Sequence, residues 1–237
     1  MASSNNTERQ DRVKEAFVRY VMTGIDELLP ITPALERFIS RPREQKLKLC
    51  PSRMVDDVQD MLNTYRRSTD AQSGKAIDSP LPVMFIAFAK ETAPIPADRG
   101  RSVADVQNLE LTEKSGYYNV RMQHKEWRCQ LVFIAHEHET ATAMTDQMRL
   151  YIQRFNNHRW PIDWHHDGHD FQTLGTFEDG FEPADMVIDV DGGRKNLIIY
   201  AWDLTLNYVL PFIGAKVTSV NARSTGITVV NHTGGRP

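Results

Sequence analysis

The sequence predicts an α/β (α+β) fold, with a mixed or largely antiparallel sheet flanked by helices, long loop excursions and an extended C-terminal arm. Three stretches carry this prediction. Cys129–Ala135 alternates apolar residues as a strand does, Thr140–Phe155 has apolar residues at helical spacing, and Lys195–Val209 alternates again. The last stretch is polar on one face in its second half, which is typical of an antiparallel sheet with one solvated or partner-facing side.

Further elements are predicted ahead of these three stretches. From Gln10 onward, apolar residues recur every three or four positions and predict an amphipathic helix that ends before Pro30. A proline-punctuated connector follows, after which Ser52 can cap a second helix with Tyr65 on its apolar face. Pro82–Lys90 is nearly continuous in apolar residues, which predicts a strand buried on both faces.

The chain is long enough to bury one large core, and no internal repeat divides it. Polar, weakly patterned stretches inside a compact domain are usually functional or interface loops. We therefore predict a flexible N-terminus at 1–8, one domain at 9–215 with long excursions at 66–80, 91–118 and 157–194, and a C-terminal arm at 216–237.

Composition excludes several classes of protein. A net charge of -3 argues against a dedicated nucleic-acid binder, which would need a concentrated basic face. The two cysteines are too few for a disulfide framework, and Cys129 is expected to pack as a small apolar residue. No apolar run is long enough for a membrane span, and the polar segment 1–12 is not typical of a signal peptide, so a protein made in the cytosol is expected.

The histidine-rich segment 164–170 is the strongest candidate for chemistry. Its imidazoles and carboxylates are the ligand types that zinc prefers. Adjacent residues of an extended segment point to opposite sides, however, so His165 and His166 would not converge on one ion. We favour a polar loop that Trp160, Trp164 and Phe171 anchor to a surface. The metal-site alternative rests on four candidate ligands, His165, His166, Asp167 and His169.

Other motifs have simpler explanations. The carboxylates of His136–Glu139 suit the start of a helix, although His136 and His138 could share a face as ligands. Asp189–Gly193 lacks the remaining ligands of a calcium loop and predicts a tight turn. The basic run Arg41–Lys48 predicts a solvated face or a protein contact. The chain has no nucleophile elbow, phosphate-binding loop or dinucleotide fingerprint, so we expect no enzyme and no cofactor.

The order of elements has a counterpart in a known family. A buried strand at 82–90 is followed by a long excursion, the strand Arg128–His136, a helix rich in Met and Gln, and a closing strand with the run Trp202–Asn207 followed by Tyr208 and Pro211. Together with the leading helix around Phe17, this order resembles the tail completion and sheath-stabiliser proteins, or tail terminators, of contractile-tailed bacteriophages. The likeness covers about half of the chain, mainly 82–90 and 127–211.

The resemblance implies a structural virion protein without catalytic activity. Copies would form a ring, expected to be a hexamer, that terminates the tail tube and sheath and connects them to the head-side neck proteins. The resemblance places the protein at the tail neck of the virion, and in the host cytoplasm during assembly. Genomic DNA would pass through the ring without specific binding, because tight binding to phosphate needs clustered Lys and Arg. No membrane contact is implied.

Interfaces between copies are expected in the excursions and the arm, because these are hard to explain as core. The candidate interface residues are Arg99, Arg101, Tyr117, Tyr118, Arg159, Trp160, Trp164, Phe171 and Phe181. Two alternatives stay open: another neck, collar or baseplate ring protein, and a metal-dependent hydrolase that uses the histidine-rich loop at 165–169.

Overall fold

The structure, a computed structural model, describes residues 2–50, 81–94, 103–111, 116–154, 157–177, 186–187 and 197–217. These residues form four helices: α1 (Ala2–Asp26), α2 (Pro33–Ile39), α3 (Arg43–Lys46) and α4 (His138–Gln153). They also form nine strands: β1 (Leu47–Cys50), β2 (Val83–Phe88), β3 (Ala93–Pro94), β4 (Val103–Glu110), β5 (Tyr117–Ala135), β6 (Arg159–His166), β7 (His169–Phe177), β8 (Met186–Val187) and β9 (Ile198–Lys216).

All nine strands belong to one mixed sheet. Its main path runs β1-β2-β5-β9-β7-β6, while β3 and β4 pair with β5, and β8 pairs with β9. The β1–β2 pair is parallel and every other pair is antiparallel. The predicted α+β class, with a mixed or largely antiparallel sheet flanked by helices, is therefore confirmed.

The main core lies between one face of the sheet and the helices α1, α2 and α4. Alternate residues of β5 and β9 supply its sheet side, because side chains along a strand point in turn to opposite faces. The predicted apolar face of the last strand is confirmed, and Cys129 is fully buried as expected. The β9 residues on this face are Ile198, Tyr200, Trp202, Leu204, Leu206, Tyr208 and Leu210.

Strand β2 is buried on both faces, as its continuous apolar run predicts. Met84, Ile86 and Phe88 belong to the main core. Val83 and Phe85 belong to a second apolar cluster on the opposite face. That second cluster continues across the sheet through Val132, Ile134, Ile199 and Ala201.

The helical predictions need two corrections. Helix α1 begins at Ala2, before the predicted start at Gln10 and inside the segment 1–8 that was expected to be flexible. The connector after Pro30 contains α2, α3 and β1. Thr32 caps α2 by accepting a hydrogen bond from the Leu35 backbone N–H, and Pro33 occupies a position where a missing N–H costs nothing.

Two predicted excursions contain strands. The stretch 91–118 includes β3, β4 and the start of β5. Its sequence pattern is weak because β4 is positioned by pairing with the long strand β5. The stretch 157–194 includes the β6–β7 hairpin and β8. The final strand continues seven residues past the predicted end at Val209, to Lys216. The second helix from Ser52, the excursion 66–80, the turn Asp189–Gly193 and the arm beyond 217 lie outside the described residues.

Among the described residues, no helix combines the length and apolar character needed to cross a membrane.

The hairpin fits against α1 because β7 has a glycine at the crossing point. Trp160 of β6 is 1 % exposed and packs at tilted ring angles against Phe17 and Tyr20 of α1 and Phe177 of β7. A Cβ atom added at Gly175 would overlap the Trp160 indole ring. The glycine therefore provides the space that the indole occupies.

We expect Gly175→Ala to lower the free energy of unfolding by about 1–3 kcal/mol, because the added methyl group overpacks the core. Urea denaturation checks this. The control is Leu174→Ala, because Leu174 is the neighbouring residue on the solvent side and is 50 % exposed. This variant should change the free energy of unfolding by about 0.5 kcal/mol or less. Equal stability of Gly175→Ala and the wild type would contradict the packing described here.

Candidate functional site at the histidine hairpin

The histidine-rich segment forms the tip of a β-hairpin. Strands β6 and β7 pair from Arg159 with Thr176 up to His166 with His169. The two turn residues both have positive φ, 50° at Asp167 and 77° at Gly168. Two consecutive positive φ angles are typical of a type I′ turn, and Asp-Gly is a preferred sequence for it. The histidines are therefore held on strands, where their directions are fixed.

The four proposed metal ligands do not converge in this hairpin. His165 points to the solvent side, where its Nδ1 lies 2.7 Å from Asp170 Oδ1. His166 lies on the other face, with its ring edge-on to Tyr118 at 5.6 Å between ring centres. Within the described ranges, no group of three or more His, Cys, Asp or Glu residues is arranged to hold an ion. The geometry keeps His165 and His166 apart, as alternation along a strand requires.

Asp167 connects the hairpin tip to the far ends of β5 and β9. Tyr118 Oη donates a hydrogen bond of 2.7 Å to Asp167 Oδ2. This bond holds the pKa of the Asp167 carboxyl below its ordinary value, and the positive charge of Lys216 acts in the same direction. The same bond raises the pKa of the Tyr118 hydroxyl. Lys216 Nζ also lies 5.7 Å from the centre of the Tyr118 ring. The turn of the hairpin therefore meets β5 and β9 in one polar link.

The second histidine group, His136–Glu139, has local roles at the start of α4. His138 Nδ1 lies 3.1 Å from the Tyr200 hydroxyl of β9. Thr140 Oγ1 donates to Glu137 Oε2 over 3.2 Å and lies 2.9 Å from the Thr32 hydroxyl ahead of α2. Glu139 lies in the first turn, where a carboxylate interacts favourably with the helix dipole. These contacts join α4 to α2 and β9.

The basic run also makes contacts within the chain. Arg41 donates hydrogen bonds of 2.9 Å to the carbonyl oxygens of Leu81 and Pro82, just before β2. Arg43 and Lys46 both pair with Asp26 at the end of α1, at 2.6 Å and 3.5 Å. Lys46 is only 5 % exposed. For Arg41 and Lys46, the prediction of a solvated face is therefore corrected to a structural role, while the exposed side chain of Arg43 agrees with that prediction.

The interface candidates fall into three groups. Tyr118, Trp160 and Trp164 are buried within the chain, so their side chains do not present a surface to a neighbouring subunit, and we correct their assignment. Phe171 is partly buried, while Tyr117 and Arg159 are exposed. Arg99, Arg101 and Phe181 lie outside the described residues.

The two buried tryptophans anchor the hairpin, which agrees with the anchoring expected of them. Trp164 Nε1 donates to Thr173 Oγ1 across the hairpin over 2.8 Å, and Thr173 Oγ1 donates in turn to the Val209 carbonyl of β9 over 3.2 Å. Sequence reasoning missed the hairpin and the Tyr118–Asp167 bond. The Asp167-Gly168 dipeptide was the available signal for the hairpin. No local signal marks Tyr118, 49 positions away from its partner.

No protein-family model matches the chain, and no curated protein sequence matches it.

We expect protein purified without chelators to contain no stoichiometric zinc, because His165 and His166 face opposite sides of β6. Elemental analysis measures the metal content directly. Equimolar zinc should also leave the melting temperature of the wild type and of His165→Ala unchanged. One zinc per chain, lost on replacing His166 or His169 with Ala, would refute this and restore the hydrolase alternative.

We expect Tyr118→Phe to remove a pH-dependent part of the stability. Because the pKa of Asp167 is lower in the folded chain than its unfolded value of about 3.9, the bond stabilises the fold at neutral pH. That contribution is lost as the pH falls through the folded-state pKa. The stability gap between wild type and variant should therefore narrow from about pH 5 toward about pH 3.

Urea denaturation across this pH range measures the gap. The matched control is Tyr117→Phe. Tyr117 is the neighbouring residue, and its side chain is 39 % exposed. A Tyr118→Phe gap that does not vary with pH would show that the hydroxyl does not act through Asp167.

Proposed function

We propose that this chain is a structural protein of a contractile phage tail, which forms a ring that terminates the tail tube and sheath and joins them to the head-side neck. The resemblance in the order of strand, helix and closing strand motivates the proposal. The observation that carries it is an extension of the sheet, formed by the first half of β5, the second half of β9 and β4. This extension of the sheet is called the arm and is distinct from the predicted C-terminal arm at 216–237.

The arm is a sheet extension with a small core of its own. Strands β5 and β9 are each 19 residues long. Leu111, Tyr118 and Val120 form a buried cluster separate from the main core, with Phe171 and Ile213 packed against it. Exposed side chains alternate with these buried ones along β5. Such an arm presents a surface that the main core does not need, which supports a role in contacts with other chains.

A ring needs two different surfaces on each copy, because its head-to-tail contacts are heterologous. The ends of the sheet supply two such surfaces. In the described part of the chain, β1 and β6 are the end strands of the main path. Pro161 of β6 has no backbone N–H, which disfavours strand addition at that edge. Contacts there would use side chains such as Arg159, which is exposed.

The proposed partners are further copies of the chain, the tail tube protein, the tail sheath protein and the head-side neck proteins. Genomic DNA would pass through the lumen without specific binding. A net charge of -3 supports this, because retention of duplex DNA depends on many phosphate contacts by Lys and Arg.

We expect purified protein to form rings that associate with tail tubes, measured by analytical ultracentrifugation and electron microscopy of assembly mixtures. Replacing the exposed Tyr117 and Arg159 together with Ser should weaken assembly about 10-fold or more, because central interface side chains commonly contribute that much. The control is Arg37→Ser, an exposed residue of α2.

Two outcomes would redirect the proposal. A chain that stays monomeric and never associates with tail tubes would refute it. Density found at a collar or baseplate, and not at the end of the tail tube, would favour another ring protein of the tail. The hydrolase alternative has no supporting geometry among the described residues, because its four candidate ligands are divided between two faces of the hairpin.

A further inference from the structure

A cavity of about 300 Å³ lies between the first half of α1, the hairpin and the end of β9. Its walls come from three elements that are distant in sequence. The lining residues are Glu8, Arg9 and Arg12 of α1, Trp164, His165, His166 and Phe171 of the hairpin, and Pro211 and Ile213 of β9. The volume lies at the lower end of the range that small-molecule sites occupy.

Arg9 is the most informative residue of this cavity. Its guanidinium carbon lies 4.4 Å from the centre of the Phe212 ring. The side chain is half-buried, and no carboxylate of the described residues lies within ion-pair distance of it. A guanidinium stacked on an aromatic ring keeps its N–H donors free around its edge. Arg9 therefore offers a fixed charge and several donors without an acidic partner.

The other charges leave the cavity with a positive excess. Arg12 pairs with Glu8 at 3.5 Å, and both side chains are well exposed, so the pair is weak. Glu8 is the single acidic residue among those that line the cavity. His166 lines it as well, and its only ring contact in the described part of the chain is with Tyr118. His165 is the second histidine of the lining, and its Nδ1 lies 2.7 Å from Asp170 Oδ1. Two guanidinium groups and two imidazoles therefore line the cavity together with one exposed carboxylate.

We propose that this cavity binds the phosphate group of a small ligand with a flat apolar body, the chemistry of a free mononucleotide. Guanidinium forks match the oxygens of phosphate, and such charge-assisted hydrogen bonds are about twice as strong as neutral ones. Phe171 is partly exposed and is the cross-strand partner of Trp164, and both aromatic side chains line the cavity, which suits a flat ring. The cavity holds one phosphate and one ring, while a duplex presents its phosphates along an extended backbone. This inference does not depend on the proposed structural role.

Calorimetric titration of the full chain with adenosine monophosphate, inorganic phosphate and adenosine tests the proposal. We expect the monophosphate to bind at least about 10-fold more tightly than adenosine, because a charge-assisted pair of hydrogen bonds supplies that difference. Inorganic phosphate should compete with it. Equal affinity for adenosine and its monophosphate, or no binding at millimolar ligand, would overturn the proposal.

Arg9→Gln should weaken binding of the monophosphate about 10-fold or more, since it removes the unpaired charge. Arg37→Gln on α2 removes the same charge outside the cavity and should have no effect. An equal loss in both variants would mean that net charge, and not this cavity, attracts the ligand. That result would also overturn the proposal.

A second variant keeps the test decisive if Arg9→Gln loses its helical circular dichroism. Glu8→Gln removes the carboxylate that lines the cavity and competes for Arg12, so it should tighten binding of the monophosphate several-fold. Unchanged or weaker binding by a folded Glu8→Gln would contradict the proposal. A parallel titration with short duplex DNA separates the two sources of phosphate. If the duplex binds in an Arg9-dependent way and the mononucleotide does not bind, the proposal that the ligand is a free mononucleotide is refuted.

Discussion

The structure depends on the register between β5 and β9. These two strands pair antiparallel from Ala135 with Ile198 out to Tyr118 with Lys216. Their shared inner face carries Trp127 and Trp202, on which α1 and α4 pack. A shift of one residue would turn Asp203 toward the helices and the apolar residues toward solvent. Strands β2, β3, β4, β7 and β8 pair directly with β5 or β9, while β1 and β6 join the sheet through β2 and β7.

The hairpin is fixed by aromatic packing at its base and by mixed polar and aromatic contacts at its tip. At the base, Trp160 packs among Phe17, Tyr20 and Phe177, and the Tyr20 hydroxyl donates to the Asn157 carbonyl over 2.7 Å. Burial raises the pKa of that hydroxyl well above its ordinary value, so it remains a donor throughout the physiological range. At the tip, the hydrogen bond from Tyr118 to Asp167, the edge-on contact of His166 with the Tyr118 ring and the packing of Phe171 connect the hairpin to the arm. The proposed phosphate cavity lies beside the tip.

The sequence predicted elements whose periodicity is strong and local. The alternation around Cys129, the helix after Thr140 and the apolar run from Pro82 all correspond to observed elements. Strands β1 and β4 were missed because a short or edge strand gains its order from a neighbour distant in sequence, and no period records that neighbour. For the same reason Trp160 was predicted as a candidate for contact between subunits. Its burial depends on Gly175 and Phe17, which only the fold brings to it.

The long-range pairing also determines how the chain must reach its fold. The closest paired residues of β5 and β9, Ala135 and Ile198, are 63 positions apart in sequence, and the separation grows toward the arm. Closing such loops costs entropy before any pairing is gained, so proteins rich in distant contacts fold slowly. Helix α4 and the hairpin, which lie between the two strands, can form from local contacts first. Before β9 pairs with β5, the apolar face of β5 is exposed. The chain is most prone to aggregate during this stage of folding.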